Sequence, residues 1–165
     1  MIGPVVICIT SVSIGGAMRE RGFTFTEILI VVAILSILTM IAVPNLLAAL
    51  NKARQGRTMG DLRSIAQAVE AYSVDNGYFP RVATGSVEAL APILEPAFIQ
   101  TMPIRDGWGN PMQWVSDAAG RSYTVWSKGR DFVGMLEAGG ITHKFTKAIV
   151  YTEGRFAQWP EGEQR

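Results

Sequence analysis

The most apolar part of the chain lies in its first third. Residues 28–43 read ILIVVAILSILTMIAV, carry no charge and include only Ser36 and Thr39 as polar residues. Extended back to residue 23, the segment has 21 residues, which as a helix is about 32 Å, enough to cross the core of a bilayer. A buried core helix is the alternative, but the rest of the chain is too small to enclose a helix that is apolar on every face. The pattern predicts a membrane-spanning helix over residues 23–43.

A second helical segment follows, over residues 44–77, and it is amphipathic. Pro44 predicts a kink, because it lacks a backbone donor and clashes with the preceding turn. Gly56 and Gly60 lower the helix propensity, so local unwinding is expected in this stretch. From Asp61 onwards one face is apolar, and we expect it to enter the core: Leu62, Ile65, Ala66, Val69 and Tyr72. The other face carries Arg63, Gln67 and Glu70. Gly77 is expected to end the helix with a left-handed cap.

Residues 78–165 predict a small globular head. Ser86 can cap a short helix over residues 87–90. Strands rich in β-branched and aromatic residues are predicted over 112–116, 122–127, 148–152 and 155–159. The connections at 117–120 and 153–154 contain glycine and predict two hairpins. The expected fold is α+β, with one long helix packed on a small antiparallel sheet.

Composition excludes several classes of function. Lys and Arg total 15 against 14 Asp and Glu, so no long-range field favours nucleic acid. A single Cys and a single His exclude a disulfide framework and a zinc cluster within one chain. His143 stands in a Gly-rich loop and Cys8 near the N-terminus, so neither forms a credible catalytic dyad. The four Trp residues are expected to pack in the sheet. A non-enzymatic protein is predicted.

Charges around the apolar segment indicate its orientation. Arg19 and Arg21 precede it, and no basic residue follows until Lys52 and Arg54, so the N-terminus is expected in the cytoplasm. Glu27 is the anomaly, because an unpaired carboxylate in a membrane helix costs on the order of 2 kcal/mol or more. Either a cationic partner or the dipole at the helix N-terminus could stabilise it.

The residues around Glu27 carry a resemblance to a known family. The phrase Arg21-Gly-Phe-Thr-Phe-Thr-Glu27, followed at once by the apolar run, resembles the type III signal of type IV prepilins and type II secretion pseudopilins. The resemblance implies a type IV pilin-like fold, cleavage by prepilin peptidase between Gly22 and Phe23, and N-methylation of Phe23. It also implies that Glu27 pairs with the Phe23 amine of a neighbouring subunit during assembly, and that Pro44 is the family's helix-kinking proline.

On this reading residues 1–22 are the leader, although residues 1–17 are more apolar than family leaders usually are. Met18-Arg-Glu-Arg-Gly22 alone is an ordinary leader, so translation is expected to start at Met18. If Met1 is the start, the stretch is an unusually long leader or the apolar region of a secretory signal. The gene's nucleotide sequence would decide between these alternatives.

Two phrases in the head narrow the resemblance. Residues 102–111 read MPIRDGWGNP and residues 123–131 read YTVWSKGRD, which resemble phrases of the major pseudopilin of type II secretion. The resemblance implies a homopolymer anchored in the bacterial inner membrane, with its head in the periplasm and membrane lipid around its helix before assembly. Its implied partners are the assembly platform, the minor pseudopilins and, indirectly, a cytoplasmic ATPase. The main subunit of a surface type IV pilus is the alternative, and a single-pass anchored enzyme or sensor domain is a more distant one.

No organic cofactor is expected, but the resemblance raises the question of calcium. Members of the family commonly bind it in the loop after the second phrase, and Asp131 matches the first acidic position. Only Glu137 adds a carboxylate between residues 132 and 147, and Ala148 replaces a frequent Asp, whereas calcium takes six to eight oxygens. The loop is therefore expected to be held by apolar packing of Phe132, Met135, Leu136 and Phe145, with calcium at Asp131 as the alternative.

Overall fold

A computed structural model describes residues 22–134 and 139–164. The chain divides into two compact units, residues 1–40 and 41–165. Helix α1, Phe25–Asn76, is the first element and supplies residues to both units. The predicted leader, apart from Gly22, and residues Met135 and Leu136 lie outside the described ranges.

The described part of the N-terminal unit contains the first, strongly apolar turns of α1. The helix is long and apolar enough to cross a membrane by length and composition, and none of its most apolar window is buried. Its two hydroxyl side chains bond within the helix, Ser36 to the carbonyl of Val32 at 2.7 Å and Thr39 to that of Leu35 at 2.6 Å. Because these bonds satisfy the hydroxyl donors locally, the polar residues do not prevent burial of this segment in lipid.

Helix α1 runs through Pro44, Gly56 and Gly60 without interruption. The local unwinding expected in this stretch is therefore absent from the structure, because the α-helical pattern continues on both sides of each glycine. A Cβ atom at Gly56 or Gly60 would meet nothing within 4 Å, so neither glycine is required by packing. The kink at Pro44 stays a prediction.

The second half of α1 enters the core as its periodicity predicts. Leu62, Ile65, Ala66 and Val69 are fully buried, and Tyr72 packs against the same cluster. The prediction that Glu70 lies on the face turned away from the core is wrong. Its carboxylate accepts a hydrogen bond of 2.6 Å from the Tyr123 hydroxyl. The pKa of Tyr123 is raised far above its ordinary value. The main cause is burial of the hydroxyl, and the second is its hydrogen bond to Glu70. Gly77 follows the helix with φ of 79°, as the predicted cap requires.

Among the described residues the sheet has six strands and includes one parallel pair, so the predicted antiparallel sheet is wrong on this point. The strands are β1 (Gly85–Ser86), β2 (Gln113–Ser116), β3 (Tyr123–Ser127), β4 (Gly140–Thr142), β5 (Ile149–Thr152) and β6 (Arg155–Pro160). Their order is β1-β2-β3-β5-β6-β4, with β4 and β6 parallel and the other neighbours in this order antiparallel. β1 and β4 were not predicted, because two or three residues beginning with glycine carry no strand periodicity.

The predicted connections are confirmed. Ser86 accepts a hydrogen bond from the backbone of Glu88 and caps a 3₁₀ helix over Val87–Leu90, which leads into the short helix α2, Ala91–Leu94. Glu153 and Gly154 join β5 to β6 with φ of 46° and 83°, the pair of positive values of a two-residue type I′ hairpin. The core lies between α1 and the sheet, and includes Val87, Leu90, Leu94, Met112, Trp114, Tyr123, Val125 and Ile149.

Residues 102–111 form a loop that closes onto α1, and we call it the clasp loop. The backbone N–H of Gly107 donates to the Thr58 hydroxyl at 2.9 Å, and the Trp108 indole donates to the Asn51 side chain at 3.2 Å. A Cβ atom at Gly107 would lie 2.2 Å from the carbonyl oxygen of Arg54. Glycine is therefore required here by close approach of the loop backbone to the helix.

The buried carboxylate of Asp106 organises this loop. One oxygen accepts the backbone N–H groups of Trp108 and Asn110, both at 2.9 Å, and the other accepts the Ser127 hydroxyl at 2.6 Å. The Ser127 oxygen in turn accepts the N–H of Gly129 at 3.1 Å. The two phrases noted in the sequence thus meet through the Asp106–Ser127 hydrogen bond and through Asn110, whose side-chain amide donates to the carbonyl oxygen of Gly129 at 3.0 Å.

Asp106→Ala should lower the free energy of unfolding of a soluble fragment beginning near Lys52 by about 3 kcal/mol, because three donors, among them the buried Ser127 hydroxyl, lose their acceptor. Urea denaturation measures this loss. Asp131→Ala is the matched control, since that exposed carboxylate should contribute less than about 0.5 kcal/mol. Equal losses in the two variants would contradict the role assigned to the clasp loop.

Candidate functional site

The predicted cleavage point lies ahead of the helix in open backbone. Gly22 and Phe23 precede α1, which begins at Phe25, and the Phe23 side chain is 79% exposed. A Cβ atom at Gly22 would meet nothing within 4 Å. The peptide bond between these residues is thus unobstructed by the described part of the chain, and a requirement for glycine here would come from the peptidase that cuts the bond.

Thr24 and Glu27 form a reciprocal cap at the start of α1. The backbone N–H of Glu27 donates to the Thr24 hydroxyl at 3.2 Å, and the N–H of Thr24 donates to the Glu27 carboxylate at 3.5 Å. This capping box satisfies two backbone donors that the first helical turn leaves unpaired. Glu27 therefore has partners within the uncleaved chain, and the sequence interpretation, which weighed only the dipole and a cationic partner, did not include this arrangement.

Asp131 lies in an exposed turn, where it forms an ion pair with its neighbour Arg130 at 2.9 Å. The described ranges contain no group of three or more His, Cys, Asp or Glu side chains that could hold a metal, and Glu137 lies outside those ranges. Asp131 is thus already paired with a cation, and calcium takes six to eight oxygen ligands. Calcium at Asp131 stays a prediction.

The apolar packing expected of the same loop is confirmed for one residue and wrong for another. Phe145 is 5% exposed, whereas Phe132 is 40% exposed. Phe132 adopts a positive φ of 57°, which turns it outward. Its ring is covered instead by the Lys128 ammonium, 4.3 Å from the ring centre.

A catalytic function of the head would require a cleft in which titratable side chains converge. A cavity of about 650 Å³ lies where α1 ends, and its lining includes Ser73, Tyr78, Arg81 and Arg121. The lining contains no carboxylate, histidine or cysteine, so the side chains that would form a nucleophile and base are not assembled there. His143 is exposed, and its Nδ1 lies 2.9 Å from the carbonyl oxygen of Glu161.

The residues of the clasp loop were not identified from the sequence as one structural unit. Asp106 and Ser127 were noted only as parts of family phrases, and Thr58 and Asn51 were not singled out. The available signal was the sequence Asp-Gly-Trp at 106–108. Asp can accept hydrogen bonds within a turn, and Gly allows another backbone to approach closely. Their partners on α1 are more than forty residues away in sequence, so the pairing itself was not readable.

Two family models match the chain. The prokaryotic N-terminal methylation motif matches residues 17–43, a range that includes the predicted cleavage point and Glu27. The model of type II secretion system protein G matches residues 45–140, which include the second half of α1 and the clasp loop. The chain belongs to the protein G family.

Curated relatives agree with this membership. The chain is 34% identical over 125 residues to the type II secretion system core protein G of Klebsiella pneumoniae, an alignment that covers 70% of this chain and 88% of the relative. It is 32% identical over 123 residues to the protein of that name from Aeromonas hydrophila, covering 68% and 85%. The Vibrio cholerae protein is 33% identical over 122 residues, covering 68% and 82%. The resemblance and the α+β fold class inferred from the sequence are confirmed.

Cleavage provides the first test of this site. Wild-type protein should begin at Phe23, N-methylated, and Gly22→Val should remain uncut because a branched side chain is placed at the scissile bond. The open space around Gly22 means that the substitution should leave the folded head unchanged. Mass spectrometry of the membrane-extracted protein reads the N-terminus directly. A mature N-terminus other than Phe23 would refute the assignment.

Glu27 provides the second test, because two roles can be separated by substitution. Glu27→Gln keeps a side chain that can complete the capping box but removes the charge, whereas Thr24→Val removes the cap and keeps the charge. If assembly requires pairing with a neighbouring amine, Glu27→Gln should be cut, inserted and unassembled, and Thr24→Val should still assemble. Filament yield in sheared fractions measures this. Normal assembly of Glu27→Gln would mean that capping, not charge, is the contribution of Glu27.

Proposed function

We propose that this chain is the major structural subunit of a type II secretion pseudopilus. Prepilin peptidase cuts after Gly22, the new N-terminus at Phe23 is methylated, and the subunit polymerises through the apolar half of α1 to support protein secretion. The observation that supports the proposal most strongly is the order of features at the N-terminus. The open Gly22–Phe23 bond, the Thr24–Glu27 cap and the unburied apolar helix follow one another directly, within a chain of the protein G family.

The exposed apolar surface of α1 supports a role in polymerisation. Its large apolar side chains from Ile28 to Leu50 are between 44% and 81% exposed, which is unfavourable in water and requires lipid or other helices around them. Before assembly the surrounding medium is the inner membrane, with the N-terminus cytoplasmic and the head periplasmic. In the filament, the same surface packs against the helices of other copies.

Further partners follow from this proposal. The subunit would be delivered to an assembly platform in the inner membrane and would join a filament that minor pseudopilins initiate. The nucleotide-driven step is assigned to a separate cytoplasmic ATPase, because the sequence contains no P-loop. No step of the proposal requires the head to perform chemistry.

Deletion of the gene in the source bacterium, followed by complementation, tests the proposal. Secreted proteins should accumulate in the periplasm of the deletion strain, wild type should restore export, and Glu27→Leu should fail to restore it although the variant is cut and inserted. Normal export combined with loss of surface attachment or motility would favour a surface pilus and overturn the proposal.

We also propose that the loop after Asp131 is stabilised by packing and not by calcium. The buried ring of Phe145 and the pairing of Asp131 with Arg130 support this. Gly129 contributes as well, since its φ of 78° allows the chain to turn and a Cβ atom there would lie 2.6 Å from the carbonyl oxygen of Lys147. The loop backbone therefore approaches the start of β5 closely.

Chelation should accordingly change the melting temperature of the soluble fragment very little, and Asp131→Ala should be equally insensitive to added calcium. Phe145→Ala should lower the free energy of unfolding by up to about 3 kcal/mol because a buried ring is lost. Calorimetry with and without chelator makes both measurements. A large fall in melting temperature on chelation, reversed by calcium, would show that an ion stabilises this loop.

A further inference from the structure

Three cationic side chains lie on α1 directly after its exposed apolar residues. Lys52, Arg54 and Arg57, which we call the basic patch, are all exposed. The side chains of the same turns that face the head are Asn51, which bonds to Trp108, together with the buried Gln55 and Thr58. The basic patch is therefore exposed on either side of the helix face that packs against the head.

These cations are only weakly neutralised within the chain. Arg57 lies 3.5 Å from Asp61, but its side chain remains 70% exposed. Within residues 22–134 and 139–164, no carboxylate lies at ion-pair distance from Lys52 or Arg54. Glu161 and Glu163 line a groove with Lys52 without pairing to it.

The concentration of positive charge is local. The next cation along α1, Arg63, has its guanidinium 5.4 Å from the centre of the Phe156 ring, so it is engaged by the head. After the predicted cleavage the chain has equal numbers of Lys plus Arg and of Asp plus Glu, 13 each. The positive charge of the basic patch therefore does not reflect an excess of positive charge in the protein as a whole.

The position of the patch along the sequence matches the level of lipid headgroups. Phe25 to Lys52 is 28 residues, or about 42 Å of helix at 1.5 Å per residue. A bilayer has a hydrocarbon core of about 30 Å and measures about 40–45 Å with its headgroups. A helix that begins at one surface therefore brings Lys52 to the headgroups of the opposite surface. Leu46, Leu47 and Leu50, each exposed, immediately precede the patch and would contact the acyl chains.

We propose that Lys52, Arg54 and Arg57 bind the phosphate groups of anionic phospholipids at the outer surface of the inner membrane while the subunit awaits assembly. Guanidinium groups offer paired donors to phosphate oxygens, and the lysine adds a point charge. The small residues Ala53 and Gly56 between them leave room for headgroups beside the helix. The inference rests on the proposed membrane-anchored state, and the adjoining leucines favour lipid over an acidic surface of a second copy as the occupant.

The test uses the full chain in nanodiscs with equal amounts of phosphatidylglycerol and phosphatidylcholine. Native mass spectrometry of the released protein counts the retained lipids. Wild type should retain phosphatidylglycerol over phosphatidylcholine on the order of 10-fold, and the triple variant Lys52→Gln, Arg54→Gln, Arg57→Gln should show almost no preference. High salt during preparation should reduce the preference of the unmodified chain as well, which tests the idea without any substitution.

A second triple variant, Arg121→Gln, Lys144→Gln, Arg155→Gln, removes the same charge from exposed positions in the head and should keep the preference. An equal loss in both variants would overturn the proposal, because net charge would then explain the retention. So would unchanged retention in the first variant accompanied by loss of filament, which would assign the patch to contacts between copies. A chain removed from membranes by carbonate would overturn the anchored state itself, whereas a carbonate-resistant chain without lipid preference would overturn only this inference.

Discussion

The carboxylate of Asp106 is buried and accepts three hydrogen bonds, two from its own loop and one from Ser127 at the end of β3. A buried charge is tolerated only when hydrogen bonds replace the water that it loses. This requirement joins three parts of the head, because the loop so formed also contacts Thr58 on α1. The attachment of the helix to the sheet at this end therefore depends on one buried carboxyl group and its hydrogen-bond donors.

In the apolar part of the helix, the hydrogen bonds are local, in contrast to the long-range bonds of Asp106. Its polar groups are satisfied by near neighbours in sequence, since Ser36 and Thr39 bond to carbonyl groups one turn earlier and Thr24 bonds reciprocally with Glu27. The outward surface is consequently apolar, and contacts on it are replaceable without breaking hydrogen bonds. A subunit that exchanges lipid for neighbouring helices can do so at low cost on such a surface. The head, in contrast, has specific polar connections that fix one arrangement.

Much of this fold could be predicted because local periodicity determines it. The apolar run, the buried face of α1, the cap at Gly77 and four of the six strands are visible in the sequence. β1 and β4 were missed because such short strands exist only through their partners, β2 and β6. Glu70 was misassigned because its partner, Tyr123, lies on the sheet and not on the helix.

The candidate site shows the same division. The cleavage point and Glu27 occur together in a short phrase, and the methylation-motif match includes that phrase. The contacts of the clasp loop could not be predicted, since Gly107 is restricted by the carbonyl of a helical residue far away in sequence. The sequence shows that residue 107 is a glycine, but only the folded structure shows that the backbone of Arg54 lies against it.

The short strands at the two edges of the sheet affect how copies of the head can associate. β1 has two residues and β4 has three, so each edge offers few free backbone groups to another chain. In the proposed filament, copies of the head would be held side by side at high local concentration, the condition under which exposed edges pair and aggregate. Short terminal strands leave the helices to govern how copies associate, and keep the heads from joining through their backbones in an order that the filament does not use.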